Sequence, residues 1–147
     1  MPETTPDDAA LRAARERRVE LKGAVSAVEI AAASPIGDPS WRDNMARALD
    51  ELRIALDQHI DEVEGPDGLL AELRDAAPRL SNKIAVVSDE HPALCRQVDD
   101  VIANLKESAA LEQIRSDAID ALVAMARHRQ KGADLVYEAY HVDIGGG

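Results

Sequence analysis

Apolar side chains recur at steps of three and four residues along almost the whole chain, with polar residues between them. This spacing places the apolar side chains on one face of an α-helix, and no useful stretch alternates every two residues as a half-buried strand would. Segments that contain proline and glycine separate the helical stretches. The pattern predicts four long helices and one short helical piece, over residues 8–33, 41–64, 79–106, 111–140 and 69–76.

Four long helices joined by short connections are typical of an all-α protein that folds as an antiparallel four-helix bundle. The chain has 147 residues, which is a usual length for one domain with a real core. We predict a single helical domain over residues 8–141, a disordered tail at 1–7 and a flexible C-terminal tail at 142–147.

The composition supports this fold class. Hydrophobic residues make up 46% of the chain, but aromatic residues make up only 2%. The core must therefore consist mainly of Ala, Leu, Val and Ile, and long β-branched runs are absent. Alanine and leucine favour helices, so an all-β sandwich or barrel is excluded.

The charge of the chain excludes several partners. Its net charge is −11 and its pI is about 4.7, so it repels the phosphates of nucleic acids and anionic membranes. The first residues lack the basic and apolar regions of a signal peptide, and the most apolar stretch, residues 23–33, is too short to span a bilayer. A lone cysteine, Cys95, fits a reducing compartment. We therefore expect a cytoplasmic protein that binds neither nucleic acid nor membrane.

Three of the four histidines lie on the predicted inward faces of three different helices: His59, His91 and His128. Imidazole is a common ligand of transition metals, and bundles hold metals through inward side chains of facing helices. His91 and His128 each lie about sixteen residues from the turn between their helices, so at ~1.5 Å per residue they reach similar heights. The height of His59 depends on how residues 65–78 fold. A single inward histidine is more often a hydrogen-bonded core residue, and three together leave both interpretations open.

An acidic residue near these histidines would complete a metal site. Glu62 follows His59 by one turn on the same side of the helix, and Glu64 is a second choice. The candidate metal ligands are therefore His59, Glu62, His91 and His128. Cys95 lies one turn after His91, where it is either a small core residue or a further ligand.

These residues resemble the hemerythrin-like (HHE cation-binding) family over roughly residues 10–140. The resemblance rests on the four helices, on the sequence LDQHIDE at 56–62, and on Asp89-Glu90-His91 followed by Leu94. It implies a hemerythrin-like bundle with a non-haem iron site, mono- or dinuclear, that handles oxygen, nitric oxide or iron. A metal ion or a small gas would then be the ligand, and the protein would sense or store it.

The sequence departs from the family pattern at four places. The histidine of the first helix is absent, and Arg18 takes the inward position at that height. Val63 replaces an expected glutamate, Cys95 replaces a histidine, and Gly132 and Ala133 follow His128 where an acid is expected. The alternative is a degenerate, metal-free bundle that acts as an interaction or oligomerisation module, with an Arg18–Glu62 pair or a network mediated by the histidines in its core. Too few ligands are present to assign an enzyme activity.

The end of the last helix is a second region of interest because it contains both tyrosines, Tyr137 and Tyr140. We expect it either to cover the end of the bundle or to contact a partner such as a second copy. Gly132 lies inside this helix, where glycine costs about 1 kcal/mol relative to alanine, and we attribute it to close approach of another helix. The chain has no phosphate-binding loop, nucleophile elbow or CxxC motif, so hydrolase and kinase chemistry have no support.

Overall fold

A computed structural model describes residues 6–108 and 110–142, with side chains described for 12, 15–108 and 110–140. Its elements are α1 (Pro6–Ala33), α2 (Trp41–Glu64), α3 (Leu69–Ala76), a 3₁₀ turn (Pro78–Leu80), α4 (Ser81–Glu107), α5 (Leu111–Tyr137) and a π-helical turn (Glu138–Val142). The described residues contain no strand. The prediction of an all-α fold is confirmed, and the helix ends lie within about three residues of the predicted ones.

The four long helices form a ring in which α1 packs on α2, α2 on α4, α4 on α5, and α5 on α1. The contacts between them fit an antiparallel arrangement. Arg42, near the start of α2, donates hydrogen bonds to the backbone carbonyls of Leu105 and Ser108 at the end of α4. Lys83, near the start of α4, donates to Glu138 just after α5 at 2.9 Å. Within the described residues, no helix combines the length and apolar character that a membrane-spanning segment needs.

The buried side chains form two separate apolar clusters. The large core cluster lies between α1, α2, α4 and α5 and includes Val28, Met45, Leu49, Leu52, Leu56, Leu94, Val98, Ile114 and Met125. The small core cluster joins α3, the 3₁₀ turn, α4 and α5, and contains Leu70, Leu73, Ala77, Leu80, Ile84, Val87, Leu135 and Ala139. The three inward histidines lie along their helices between the last residues of one cluster and the first residues of the other.

Helix α3 and the end of α5 close one end of the bundle. The turn before α3 lies so near α2 that a Cβ on Gly68 would be 2.2 Å from the carbonyl oxygen of Glu62, so only glycine fits there. The Tyr140 hydroxyl donates a hydrogen bond of 2.7 Å to Glu72 in α3, and its ring packs on the small core cluster. Tyr140 thus covers the bundle end, whereas Tyr137 remains exposed.

Three predictions need correction or refinement. A Cβ on Gly132 would meet nothing within 4 Å, so close helix approach is not the reason for this glycine. The side chain of Arg18 is exposed rather than inward. Of the predicted tails, residues 1–5 and 143–147 lie outside the described residues, and α1 already begins at Pro6.

Candidate functional site

The structure brings the inward histidines of α4 and α5 into direct contact. The ring centroids of His91 and His128 are 4.7 Å apart, and the rings meet edge to face at 63°. This contact confirms that the two residues lie at the same height in the bundle. His59, from α2, is close enough for the charges of both rings to affect its pKa. We call His59, His91 and His128 the histidine cluster.

His91 is the most enclosed member of the cluster, with 2% of its surface exposed. Its Nδ1 lies 2.8 Å from Oε1 of Glu64 in α2. A carboxylate only accepts hydrogen bonds, so Nδ1 carries a proton and donates, and an imidazole with one proton then has its lone pair on Nε2. This Nε2 is buried and has no hydrogen-bond partner among the described residues. The site therefore contains an imidazole nitrogen that is oriented, buried and unused.

The carboxylate that orients His91 is itself held by a second donor. The hydroxyl of Ser88 donates a hydrogen bond of 2.5 Å to the same oxygen of Glu64. Burial raises the pKa of Glu64, but the hydrogen bonds from Ser88 and His91 outweigh burial and hold this pKa below its usual value. In a helix the carbonyl of Ser88 normally accepts a hydrogen bond from the backbone N–H four residues later, but Pro92 has no N–H. Glu64 is therefore ionised at neutral pH and fixes the orientation of His91.

His128 has a similar partner on the other side of α4. Its Nδ1 lies 3.0 Å from Oε1 of Glu90, and Nζ of Lys131 donates to the other oxygen of Glu90 at 2.6 Å. Burial raises the pKa of Glu90, but the hydrogen bonds from Lys131 and His128 lower it more. Burial lowers the pKa of His128, and its bond to Glu90 only partly opposes this effect. His128 is therefore mainly neutral near pH 7.

His59 differs from the other two because no described residue donates to or accepts from its ring. Burial is the main reason that its pKa falls from 6.5 to about 4, and the charges of His91, His128 and Arg18 lower it further. His59 is therefore neutral at physiological pH. A neutral imidazole is the form that binds metal ions.

The four residues predicted as metal ligands are only partly brought together. His91 and His128 are in contact, and His59 is near enough for their charges to affect its pKa. Glu62 is half-buried and makes no hydrogen bond or ion pair with any described side chain. The carboxylates that contact the histidines are Glu64 and Glu90. Neighbouring residues of a helix point about 100° apart, so Glu90 faces away from His91. In a bundle that direction leads toward the next helix, α5, and this is why Glu90 reaches His128.

Two further candidates do not join the cluster. Cys95 is half-buried against the large core cluster, and burial raises the pKa of its thiol. The charged groups that act on it are Arg53, Asp57 and Asp99, not the histidines. Cys95 therefore acts as a small core residue, not as a ligand. The exposed Arg18 does not contact Glu62 within the described part of the chain.

The residue types of the histidine cluster suit a metal ion, but their arrangement in the structure does not. Two rings have Nδ1 bound to a carboxylate, which is the pattern of metal-binding histidines, and imidazoles suit iron, zinc, copper and nickel. However, no group of three or more His, Cys, Asp or Glu side chains among the described residues is arranged so that it could hold a metal ion. Metal binding would therefore require these side chains to move closer together.

Comparison with known proteins does not indicate what this site binds. No protein-family model, no curated protein and no solved structure matches the chain.

Proposed function

We propose that this chain is a metal-binding four-helix bundle in which His59, His91 and His128 bind a transition-metal ion, with non-haem iron as the first candidate. The observation that carries the proposal is the buried Nε2 of His91, which has no partner among the described residues. A buried polar atom without a partner costs about 1–3 kcal/mol. A bound metal ion would supply the missing partner.

The hydrogen bonds around the rings support the same proposal. Glu64 and Glu90 hold the Nδ1 atoms of His91 and His128, which leaves the Nε2 atoms as donors toward a metal. The half-buried Glu62 follows His59 by one turn and is the candidate oxygen ligand. Oxygen and imidazole ligands together are a donor set that iron accepts.

A bound iron ion would supply a coordination position for a small gas such as oxygen or nitric oxide, and the resemblance to hemerythrin-like proteins favours this use. The chain's own residues would orient the ligands and exclude bulk water, since apolar clusters lie on both sides of the histidines. We propose sensing or storage in the cytoplasm and assign no enzymatic turnover. The lone Cys95 agrees with a reducing compartment.

Metal titration of chelator-treated protein tests the proposal. Fe²⁺, Zn²⁺ and Co²⁺ are added separately, and bound metal is measured by calorimetry and by elemental analysis after gel filtration. We expect binding near one ion per chain, or two if the centre is dinuclear. The variants His91→Leu and His128→Leu should abolish it. Glu64→Gln should weaken binding by about 10–100-fold because the orientation of His91 is lost.

Exposed Glu112, on α5, provides the matched control. Its side chain is 80% exposed, so Glu112→Gln should leave binding unchanged. The variant Glu62→Gln distinguishes a direct ligand from Glu64, which orients His91. It should weaken metal binding if Glu62 is the oxygen ligand. Protein that binds none of the three ions, or a His91→Leu variant that binds as well as the wild type, would contradict the proposal.

The metal-free interaction module remains the second candidate because one face of the bundle is apolar and exposed. A groove between α1 and α5 is lined almost entirely by apolar side chains: Ala32, Ala33, Ile119, Leu122, Val123 and Ala126, with Glu29 beside them. Of the two core networks that this alternative predicts, the Arg18–Glu62 pair is absent from the described residues. The histidine-mediated network agrees with the hydrogen bonds of His91 to Glu64 and of His128 to Glu90. Absence of metal binding in the titration would favour this second candidate.

A further inference from the structure

The exposed face of α5 carries apolar side chains in the middle and opposite charges toward its two ends. Ile119 and Val123 are 44% and 43% exposed, although both are large aliphatic residues. With Leu122 and Ala126 they line one side of the α1–α5 groove, which has a volume of about 400 Å³. Contacts between α1 and α5 are the sparsest of the ring, so these residues are not covered by α1.

The charges beside this face are arranged in a definite order. Asp120 precedes Val123 by one turn, and Arg127 follows it by one turn. They are seven residues apart, so they lie on the same side of the helix. Both side chains are exposed, and neither has a hydrogen bond or an ion pair within the described residues. The midpoint between them is at Val123 and Ala124.

The groove side of α1 extends the acidic end of this face. Nη2 of Arg115 donates to the Ser34 carbonyl at 3.3 Å, so the end of α1 lies beside the start of α5. Glu29, which lines the groove, is five residues before Ser34 and therefore lies nearer to Asp120 than to Arg127. One end of the face is acidic, and the other end carries Arg127.

A surface with this order of charges is complementary to itself when it is turned through 180°. A two-fold axis beside Val123 runs the α5 helices of two copies antiparallel. It places Asp120 of each copy opposite Arg127 of the other and buries Ile119 and Val123 of both. A parallel arrangement would place like charges together. We infer that the α1–α5 groove is the interface of a homodimer, whose partner is a second copy of this chain in antiparallel orientation about Val123.

This inference does not depend on metal binding, and it is tested by oligomeric state. Light scattering and sedimentation of the wild-type chain across a dilution series should show a dimer that dissociates at low concentration. Val123→Asp places two carboxylates at the axis and should raise the dimer Kd by about a hundredfold or more. Ile54→Asp is the matched control, since Ile54 is 59% exposed on α2, and should leave the dimer intact.

A charge swap tests the orientation. Asp120→Arg and Arg127→Asp should each raise the dimer Kd by about tenfold, because each puts like charges together twice. The double variant restores opposite charges and should return Kd to near the wild-type value. Circular dichroism checks that each variant is folded. In a Cys95→Ala background, Val123→Cys should form a disulfide-linked dimer, and Ile54→Cys should not.

Several results would overturn the inference. A wild-type chain that stays monomeric at every concentration excludes a second copy as the occupant, whether or not another protein binds the groove. A dimer that survives Val123→Asp must use another face. Failure of the double charge swap to restore the dimer would exclude the antiparallel orientation.

Discussion

The large core cluster and the histidine cluster are buried among the same helices, but they depend on different properties of the sequence. In the large core cluster, Leu49 and Leu52 are fully buried and need only neighbours of suitable volume. In the histidine cluster, each ring nitrogen also needs a hydrogen-bond partner. Those partners are distant in sequence: Glu64 lies 27 residues from His91, and Glu90 lies 38 residues from His128.

This difference separates the stability of the bundle from its proposed function. An aliphatic side chain contributes free energy of folding through burial and has no polar atom to satisfy, although Nε1 of Trp41 in the large core cluster is buried without a partner among the described residues. The histidine cluster holds a buried nitrogen without a described partner, which makes the apo-protein less stable than its packing allows. The aliphatic region therefore stabilises the bundle, whereas the histidine region retains a cost that binding of an ion would remove.

The largest expected effect comes from comparing one substitution in each of the two clusters. Leu49→Ala should lower the free energy of unfolding by about 3 kcal/mol, because it leaves a cavity in a fully buried position. His91→Leu should change the stability of the metal-free protein by less than about 1 kcal/mol, because the unpaired Nε2 is removed with the ring. Urea unfolding in the presence of a chelator measures both values.

An equal loss of unfolding free energy in Leu49→Ala and His91→Leu would contradict the contrast between the two clusters. That result would mean that the His91–Glu64 hydrogen bond stabilises the fold as strongly as an aliphatic core residue does. It would then favour a structural role for the cluster over a metal site.

An intermediate effect is expected from pH. The pKa of His59 is about 4 in the folded chain and 6.5 in the unfolded one, so between these values the unfolded state binds more protons. Its contribution to stability is complete above about pH 6.5 and is lost as pH falls toward 4. The lowered pKa of His128 acts in the same direction. We expect the metal-free protein to lose roughly 2 kcal/mol over this interval.

The variant His59→Gln identifies the group responsible. It should flatten the dependence of unfolding free energy on pH between 6.5 and 4, while Leu49→Ala should lower stability equally at all pH values. Urea unfolding at several pH values gives the slope. A His59→Gln slope equal to that of the wild type would assign the effect to other groups.

The sequence predicted the apolar region more completely than the histidine region. Helix ends follow from local signals such as the Gly65–Gly68 turn, and the short connection before α5 was enough to place His91 and His128 at one height. The partners of the rings were harder to predict because they depend on how one helix is rotated against the next. Glu64 and Glu90 point toward α4 and α5 respectively, which periodicity within one helix does not reveal.

The wrong prediction for Arg18 has a related cause. Few apolar residues define the buried face near the start of α1. An error of one position in locating that face is enough to assign the inward position to Arg18 instead of Arg17. In the structure Arg17 is half-buried and lies 3.5 Å from Gln58 of α2, while Arg18 is exposed. Periodicity gives the buried face reliably only where several apolar residues define it.

The smallest expected effect concerns Gly132, one turn after His128. A Cβ at this position has open space around it, and no described glycine has a positive φ. Gly132→Ala should therefore stabilise the bundle by about 0.5–1 kcal/mol, since alanine loses less backbone entropy in a helix. Thermal and urea unfolding measure this gain, with Gly68→Ala as the contrasting variant that should destabilise. A stabilised Gly132→Ala variant with weakened metal binding would show that the open space beside His128 is needed for the rings to move.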